Sequence, residues 1–341
     1  MTDTSLQTPQ VLKDLHGREI RYLRLSVTER CNFRCHYCRL AAGEGEESRH
    51  DPLTSAEILR LVHLFAQLGV GRFRLTGGEP LLRRDIRDLL ANMMTLPGVD
   101  EISLSTNAFL LAEMAQDLKN LGLRRVNISL DSLDQATFAH ITRGGDLAQV
   151  LAGIDAALEA GLAPVKINMV VMGGVNDNEI PAMIDYARDK GVLLRFIETM
   201  PVGVAGAAVM GHYLSAAEIR SRILTSYGSD LVPVDHAIGN GPANYFRITG
   251  LGVDIGIISA LSQHFCDTCN RVRLTSWGDL VLCLGREDRV NLRDALRSGA
   301  DDAALRELIL QAIRHKPQGH GFQSASVSDN NYPHAMATLG G

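Results

Sequence analysis

All six cysteines of the 341-residue chain fall into two triads. Cys31, Cys35 and Cys38 form a CxxxCxxC run, while Cys266 and Cys269 form a CxxC followed, after thirteen intervening residues, by Cys283. A cubane [4Fe–4S] cluster has four irons, so three thiolates leave one iron open to a substrate or cofactor. Two such sites in one chain imply radical or redox chemistry rather than electron storage alone. Zinc is the alternative for each triad, and it normally takes four ligands. No fourth cysteine accompanies either triad, although His36 adjoins the first and His264 the second.

The bulk composition bounds the setting. Hydrophobic content of 45% with 21% charged residues is that of a globular chain, large enough for one big domain and a smaller one. A net charge of −5 argues against a general nucleic-acid binder. Only five lysines occur, so arginine carries nearly all the positive charge. Met1–Gln10 is polar, and no apolar run reaches the roughly 20 residues of a spanning helix. With the triad spacing, this predicts metal ligation in a reducing cytoplasm and no membrane partner.

The first two thirds alternate strands and helices. Predicted strands are Tyr22–Val27, Arg72–Thr76, Glu101–Thr106, Arg125–Leu130, Val165–Val171 and Leu193–Glu198. The clearest helix, Thr54–Leu68, opens on a capping box and closes at Gly69. Others are predicted near Asp85–Thr95, Leu111–Asn120, Asp146–Ala160 and Glu179–Lys190. Six βα units in series predict a parallel sheet. Arg24 shares a strand face with Ser26, Arg72 with Arg74, Ser103 with Ser105, Asn127 with Ser129, and Lys166 with Asn168. The other faces are apolar and need helices over them. The polar faces then line an interior, which predicts an incomplete (β/α)6-type TIM barrel around a sizeable polar ligand. A doubly wound sheet needs strands apolar on both sides.

Val202–Gly211 reads as a small-residue linker. Beyond it a helix near Ser215–Ser226, β-like segments at Tyr245–Thr249, Val253–Ser259, Val272–Thr275 and Leu280–Cys283, and a last helix over Ala303–His315 predict a smaller C-terminal α+β region. The predicted division is an extension at 1–20, the barrel at 21–210, and a C-terminal region at 211–341 with the second Fe–S site and a Gly340-Gly341 tail.

The first triad lies on the loop after the first strand, at the edge where parallel α/β folds put active sites. Its CxxxCxxC, with Tyr37 before the last cysteine, resembles the motif of the radical S-adenosylmethionine (SAM) superfamily, and Thr76-Gly-Gly-Glu-Pro80 is similar to that superfamily's glycine-rich segment. The resemblance implies that the amino and carboxylate groups of SAM chelate the open iron, and that one-electron reduction releases a 5′-deoxyadenosyl radical. Alone, the glycine segment is an ordinary strand-end turn.

Phe265-Cys-Asp-Thr-Cys-Asn-Arg-Val-Arg-Leu-Thr275, Cys283 and the terminal Gly340-Gly341 together resemble the MoaA-type GTP 3′,8-cyclases of molybdenum cofactor biosynthesis, over almost the whole chain. That resemblance implies two [4Fe–4S] clusters, one on each triad, with the second open iron at the guanine of GTP. It assigns SAM contacts to Tyr37, Gly78, Ser129 and Met200, and GTP contacts to Arg24, Arg74, Ser105, Lys166, Arg271, Val272 and Arg273. Thr106 competes with Ser105 for its role. Arg271 and Arg273, with the first cysteine triad, are the implied catalytic residues. Guanidinium groups suit triphosphate oxygens because they donate in a fork. Taken singly, each arginine has a solvated surface role as its alternative, Met200 core packing, and the two glycines a frayed end. Arg195 is open to a pocket contact or a structural ion pair. The implied tail inserts into the cavity. Two segments depart from the family pattern, Ser105-Thr-Asn-Ala108 and Thr142-Arg-Gly-Gly145.

The implied reaction is abstraction of the C3′ hydrogen of GTP, attack of C3′ on guanine C8, and release of (8S)-3′,8-cyclo-7,8-dihydroguanosine 5′-triphosphate by a radical SAM lyase. A cyclic pyranopterin monophosphate synthase consumes that product. A homodimer is compatible with the sequence. The alternatives are a radical SAM peptide or protein maturase with an auxiliary cluster, a non-enzymatic iron–sulfur carrier or sensor, and a C-terminal zinc-ribbon nucleic-acid module, which the acidic balance opposes.

Overall fold

The computed structural model describes residues 11–41, 51–228, 230–234, 241–322 and 335–340. Six parallel strands run in sequence order: β1 (Tyr22–Ser26), β2 (Arg72–Thr76), β3 (Glu101–Thr106), β4 (Arg125–Ser129), β5 (Val165–Val171) and β6 (Leu193–Glu198). Their outward residues, among them Leu23, Leu25, Phe73, Leu75, Ile102, Leu104, Val126, Ile128, Ile167, Leu194 and Phe196, are all buried in one apolar core. Helices α1 (Ser55–Gln67), α2 (Ile86–Met94), α3 (Ala115–Asn120), α4 (Gln135–Thr142), α5 (Leu147–Glu159) and α6 (Ile180–Lys190) connect the strands. Thr54 and Glu57 form the expected capping box on α1, and its buried stripe is Ile58, Leu61, Val62, Leu64 and Phe65. The 3.6-residue spacing of those side chains is what turns one helix face onto the sheet.

The chain then passes α7 (Gly203–Ala208) and α8 (Ala216–Tyr227) and adds strands to the same sheet. β7 (Leu231–Pro233), β8 (Asn244–Ile248) and β9 (Val253–Ile258) are joined antiparallel, and β9 lies parallel beside β6. β10 (Arg271–Leu274) lies parallel beside β1 at the other edge and carries the antiparallel β11 (Asp279–Val281) and β12 (Arg289–Asn291). The order is therefore β12-β11-β10-β1-β2-β3-β4-β5-β6-β9-β8-β7. β9 and β10 stand at opposite ends of the eight-strand parallel arc, so the barrel is incomplete as expected, and residues 259–270 connect its two edges. The C-terminal α+β region thus shares the barrel's sheet. It ends in α9 (Leu292–Arg297), α10 (Asp302–Arg314) and the short α11 (Met336–Leu339).

Two local expectations change. Val202–Gly211 is not a linker: residues 203–208 are helical, with Val202 and Ala205 buried. Three alanines, the strongest helix formers, outweigh its two glycines. α4, α9, β7 and β12 were not foreseen; each is three to eight residues long, too short for a periodic signal. Among the described residues no helix is long and apolar enough to cross a membrane.

Candidate active site

The topology sets the two thiol triads at opposite ends of one lumen. Cys31 follows the C-terminal end of β1, whereas Cys269 precedes the N-terminal end of β10. These strands are parallel neighbours, with Tyr22 opposite Arg271 and Arg24 opposite Arg273. Cys283 follows β11, whose antiparallel run returns it to the Cys269 end, since Val281 pairs with Arg273. The length of β1, five residues or roughly 16 Å, lies between the two ends.

At the first end the loop 31–38 is pinned from several sides. Arg34 and His36 donate backbone N–H groups to Thr142 and Ile141. Asn107 reaches the Cys31 sulfur at 3.9 Å, and Tyr37 Oη donates to Asp131 at 2.6 Å. Burial, with Asp131 and the other two thiols, pushes the Cys35 thiol well up, and burial beside Cys31 takes Cys38 up to about 12. Asp131 is itself raised to about 6 by burial, and Glu79 to about 7 by burial, against donors from Asn107, Leu81 and Thr106. Gly78 lies so close to this loop that a Cβ there would fall 2.3 Å from the Arg30 carbonyl oxygen. Only glycine fits such an approach.

The second end is cationic. Arg271 lies over the Phe265 ring at 4.8 Å and brings Nη2 to 4.0 Å from the Cys269 sulfur. Burial pushes the Cys269 thiol up, but Arg271 and Lys316 outweigh it and hold it below its usual value. Buried Lys316 donates to the Leu282 carbonyl beside Cys283. Arg18 was not foreseen. It pairs with Asp14 at 2.6 Å and donates to the carbonyls of Cys266, Gln318 and Pro317 at 2.9, 2.7 and 2.7 Å. It thereby ties both termini to the CxxC turn.

Between the ends, one cavity is lined by Tyr37, Ser129 and Met200 together with Arg24, Arg74, Arg195, Arg271 and Arg273. Of the residues assigned from sequence, Tyr37, Ser129 and Met200 for SAM and Arg24, Arg74, Arg271 and Arg273 for GTP border this one space, whereas Gly78, Ser105, Lys166 and Val272 are not among its lining residues. Register puts Arg273, Arg24, Arg74 and Ser103 in one row. Burial, then neighbouring positive charge, lowers Arg24 strongly, Arg195 and Arg273 to about 10, and Lys166 to about 7. Such a cluster is costly unless an anion joins it. The buried Tyr22 Oη, Ser105 Oγ, Asn127 Nδ2 and Asn168 Oδ1 have no hydrogen-bond partner. Ser105, not Thr106, points into the lumen, since the Thr106 hydroxyl is held by Glu79 at 2.7 Å. Val272 turns its side chain into the core. Arg195, left open from sequence, is 4% exposed and donates to Asn127 at 2.8 Å.

The C-terminal tail enters this space. The Ala337 backbone contacts Cys38, and Arg273 donates to the carbonyls of Leu339, at 3.0 Å, and Gly340. A Cβ on Gly340, whose φ is +75°, would fall 2.2 Å from Thr76 Cγ2. Gly341 lies outside the described residues. Both departures from the family pattern take left-handed backbone without glycine, Ala108 at φ 63° and Arg143 at φ 56°.

Glu198 was also missed. Fully buried at the end of β6, it accepts from Ala216 N at 2.7 Å and Leu261 N at 2.8 Å, and so anchors the segment that leads to Cys266. A lone glutamate after a strand carries no sequence signal of such a role. Among the described residues no group of three or more His, Cys, Asp or Glu side chains is arranged to hold a single metal ion.

An open parallel barrel with a cysteine triad after its first strand is the architecture of a radical SAM enzyme. Residues 25–187 match the model of the Radical SAM superfamily, and residues 192–322 match Molybdenum Cofactor Synthesis C. A GTP 3′,8-cyclase of Hydrogenovibrio crunogenus is 47% identical over 97% of this chain and 99% of its own. Those of Marinobacter nauticus and Moorella thermoacetica are 46% and 41% identical, each over 97% of this chain and 98% and 100% of their own. The chain belongs to the GTP 3′,8-cyclase family. In fold it is similar to Streptococcus suis SuiB bound to precursor peptide SuiA, with a TM-score of 0.59, 15% identity, and coverage of 87% of this chain and 67% of that one. Membership of the superfamily carries a [4Fe–4S] cluster and SAM. The first triad fits them, with three thiols and a glycine-walled approach.

Proposed function

We propose that this chain is a cytoplasmic GTP 3′,8-cyclase that makes (8S)-3′,8-cyclo-7,8-dihydroguanosine 5′-triphosphate, the first step of molybdenum cofactor biosynthesis. The observation that carries the reading is the lumen itself, a donor-lined space between two three-thiol sites. When bound, the first cluster and SAM would supply the carbon radical that removes the C3′ hydrogen of GTP; C3′ then bonds to guanine C8, and one electron from the reductant with one proton at N7 completes the dihydro product.

The chain's own residues hold and orient. Cys31, Cys35 and Cys38 ligate the first cluster, and Tyr37, Gly78, Ser129 and Met200 border SAM. Cys266, Cys269 and Cys283 would hold a second [4Fe–4S] cluster, which would bind the guanine end of GTP. Arg24, Arg74, Ser105, Lys166, Arg271, the Val272 backbone and Arg273 bind the rest of GTP. Holding both reactants in one lumen converts their encounter into an intramolecular step. Arg273, fixed by the tail, stands in the row of arginines midway along β1 and β10. The functional division falls near residue 210, with SAM chemistry assigned to 21–210 and guanine binding to 211–341. A cyclic pyranopterin monophosphate synthase is the consumer of the product.

The test is anaerobic incubation of the reconstituted protein with SAM, a reductant and GTP. GTP-dependent formation of the cyclised triphosphate supports the reading. SAM cleavage that ignores GTP would favour the peptide maturase, a role that the full-length likeness to GTP 3′,8-cyclases does not favour.

A further inference from the structure

The lumen row nearest the second triad is Arg271, Tyr22 and Arg72, set side by side by the β10–β1–β2 register. Tyr22 is 6% exposed, and its hydroxyl is buried without a hydrogen-bond partner. Its ring lies under the Arg74 guanidinium at 5.4 Å. Arg24, Arg195 and Arg273 are all near enough to interact electrostatically with its oxygen. A guanidinium only donates, so none of these neighbours can take the phenolic proton. Nearby carboxylates are already engaged. Asp131 accepts from Tyr37 and Val170, Glu101 pairs with Arg125, and Glu198 accepts from Ala216 and Leu261. The hydroxyl thus has no acceptor among these neighbours, and an incoming acceptor satisfies it.

We infer that Tyr22 is a specificity-determining residue that donates its hydroxyl hydrogen to a phosphate oxygen of the nucleotide and so selects a triphosphate over a nucleoside. The inference rests on the nucleotide reading of the lumen. A ribose hydroxyl is a poorer match, because it also needs an acceptor, and so is guanine, held at the same end on that reading, because its N1–H and N2–H groups need acceptors that this row lacks. A phosphate is acceptor-only and anionic, so it satisfies the phenol and offsets the repulsion among the guanidinium groups in one contact. No sequence motif marks the residue, since a tyrosine opening a strand is ordinary.

The test measures binding of GTP, guanosine and inorganic tripolyphosphate to the anaerobically reconstituted full chain, as wild type and as Tyr22→Phe. The phenylalanine variant keeps the ring and removes only the hydroxyl. Loss of about tenfold or more in affinity for GTP and for tripolyphosphate, with guanosine unchanged, is the expected result, because hydrogen bonds to charged groups are the strong ones. Equal affinities in the two proteins, or an equal loss for guanosine, overturn the inference. Tyr22→His keeps a ring N–H donor and is expected to bind GTP within about threefold of wild type. Binding as weak as that of the phenylalanine variant makes packing the cause and also overturns it. If wild type binds tripolyphosphate but not GTP, and Tyr22→Phe weakens the former, Tyr22 stands and the guanine reading falls. If wild type binds neither, both fall.

Discussion

The two thiol triads sit in opposite fields. Around the first stand Asp131, Glu79 and the Tyr37 phenol, and all three of its thiols are pushed up. Around the second stand Arg271, Lys316 and Arg18, and Cys269 is held down, although burial still pushes Cys283 up. Negative neighbours disfavour an added electron and positive neighbours favour it. The two ends therefore differ in the charge that surrounds the thiols, with carboxyl and phenol groups at the first and guanidinium and ammonium groups at the second. Much of that charge comes from residues far away in sequence.

The largest break in the comparison comes from the ligands. Cys35→Ala is expected to remove the first cluster and abolish release of methionine from SAM. Cys269→Ala is expected to retain SAM cleavage while losing GTP conversion entirely. Counting methionine, 5′-deoxyadenosine and cyclised product in the two variants checks this asymmetry. Equal loss of SAM cleavage in both would mean that the ends do not divide the labour.

A somewhat smaller effect is expected at the tail. In Gly340→Val the new side chain collides with Thr76, displacing the carbonyls that hold Arg273. GTP conversion should fall by about 100-fold, a typical cost of misplacing a reacting group, while SAM cleavage continues. Product-to-methionine ratios read the uncoupling directly.

The lumen between the ends also has a proton signature. Burial and then Arg195 bring Lys166 down to about 7, against 10.5 for an ordinary lysine. Between those values the unfolded chain binds more protons, so stability of the ligand-free protein rises with pH through that window. A triphosphate restores the charge, and GTP binding at pH 8 should take up about one proton. Calorimetry in buffers of different ionisation enthalpy measures it, and Lys166→Met should abolish it.

The smallest effect lies in the loop after β3, whose Asn107 contacts Cys31. Ala108 is held at φ 63°, which costs an L-residue about 1 kcal/mol or more. Ala108→Gly should stabilise the fold by up to about 1 kcal/mol in chemical denaturation, with SAM cleavage unchanged.

Much of this was legible in sequence because strand alternation is strong. Arg24 beside Leu25 and Lys166 beside Ile167 declare an inner and an outer face, and the six-strand arc follows. The cysteine spacing marked both ends. What stayed hidden depends on tertiary placement. Arg18 and Lys316 lie about 300 residues apart, yet both reach the second triad's segments, and neither has a local pattern. Glu198 is a single carboxylate whose partners, backbone N–H groups and the Ser262 hydroxyl among them, lie up to 64 residues away. Tyr22 matters through what its hydroxyl lacks, and a sequence cannot display an unmade hydrogen bond. The short helix at 203–208 was read as a linker because glycine obscured its alanines.

The central claim is that both reactants share one lumen with the reacting carbon of the nucleotide turned toward the first triad. Incubating the reconstituted protein with SAM, a reductant and GTP deuterated at C3′ tests this most directly. Deuterium is predicted to appear in 5′-deoxyadenosine and to be retained there when the cyclised product forms. Deoxyadenosine free of deuterium, formed while GTP is consumed, would contradict it.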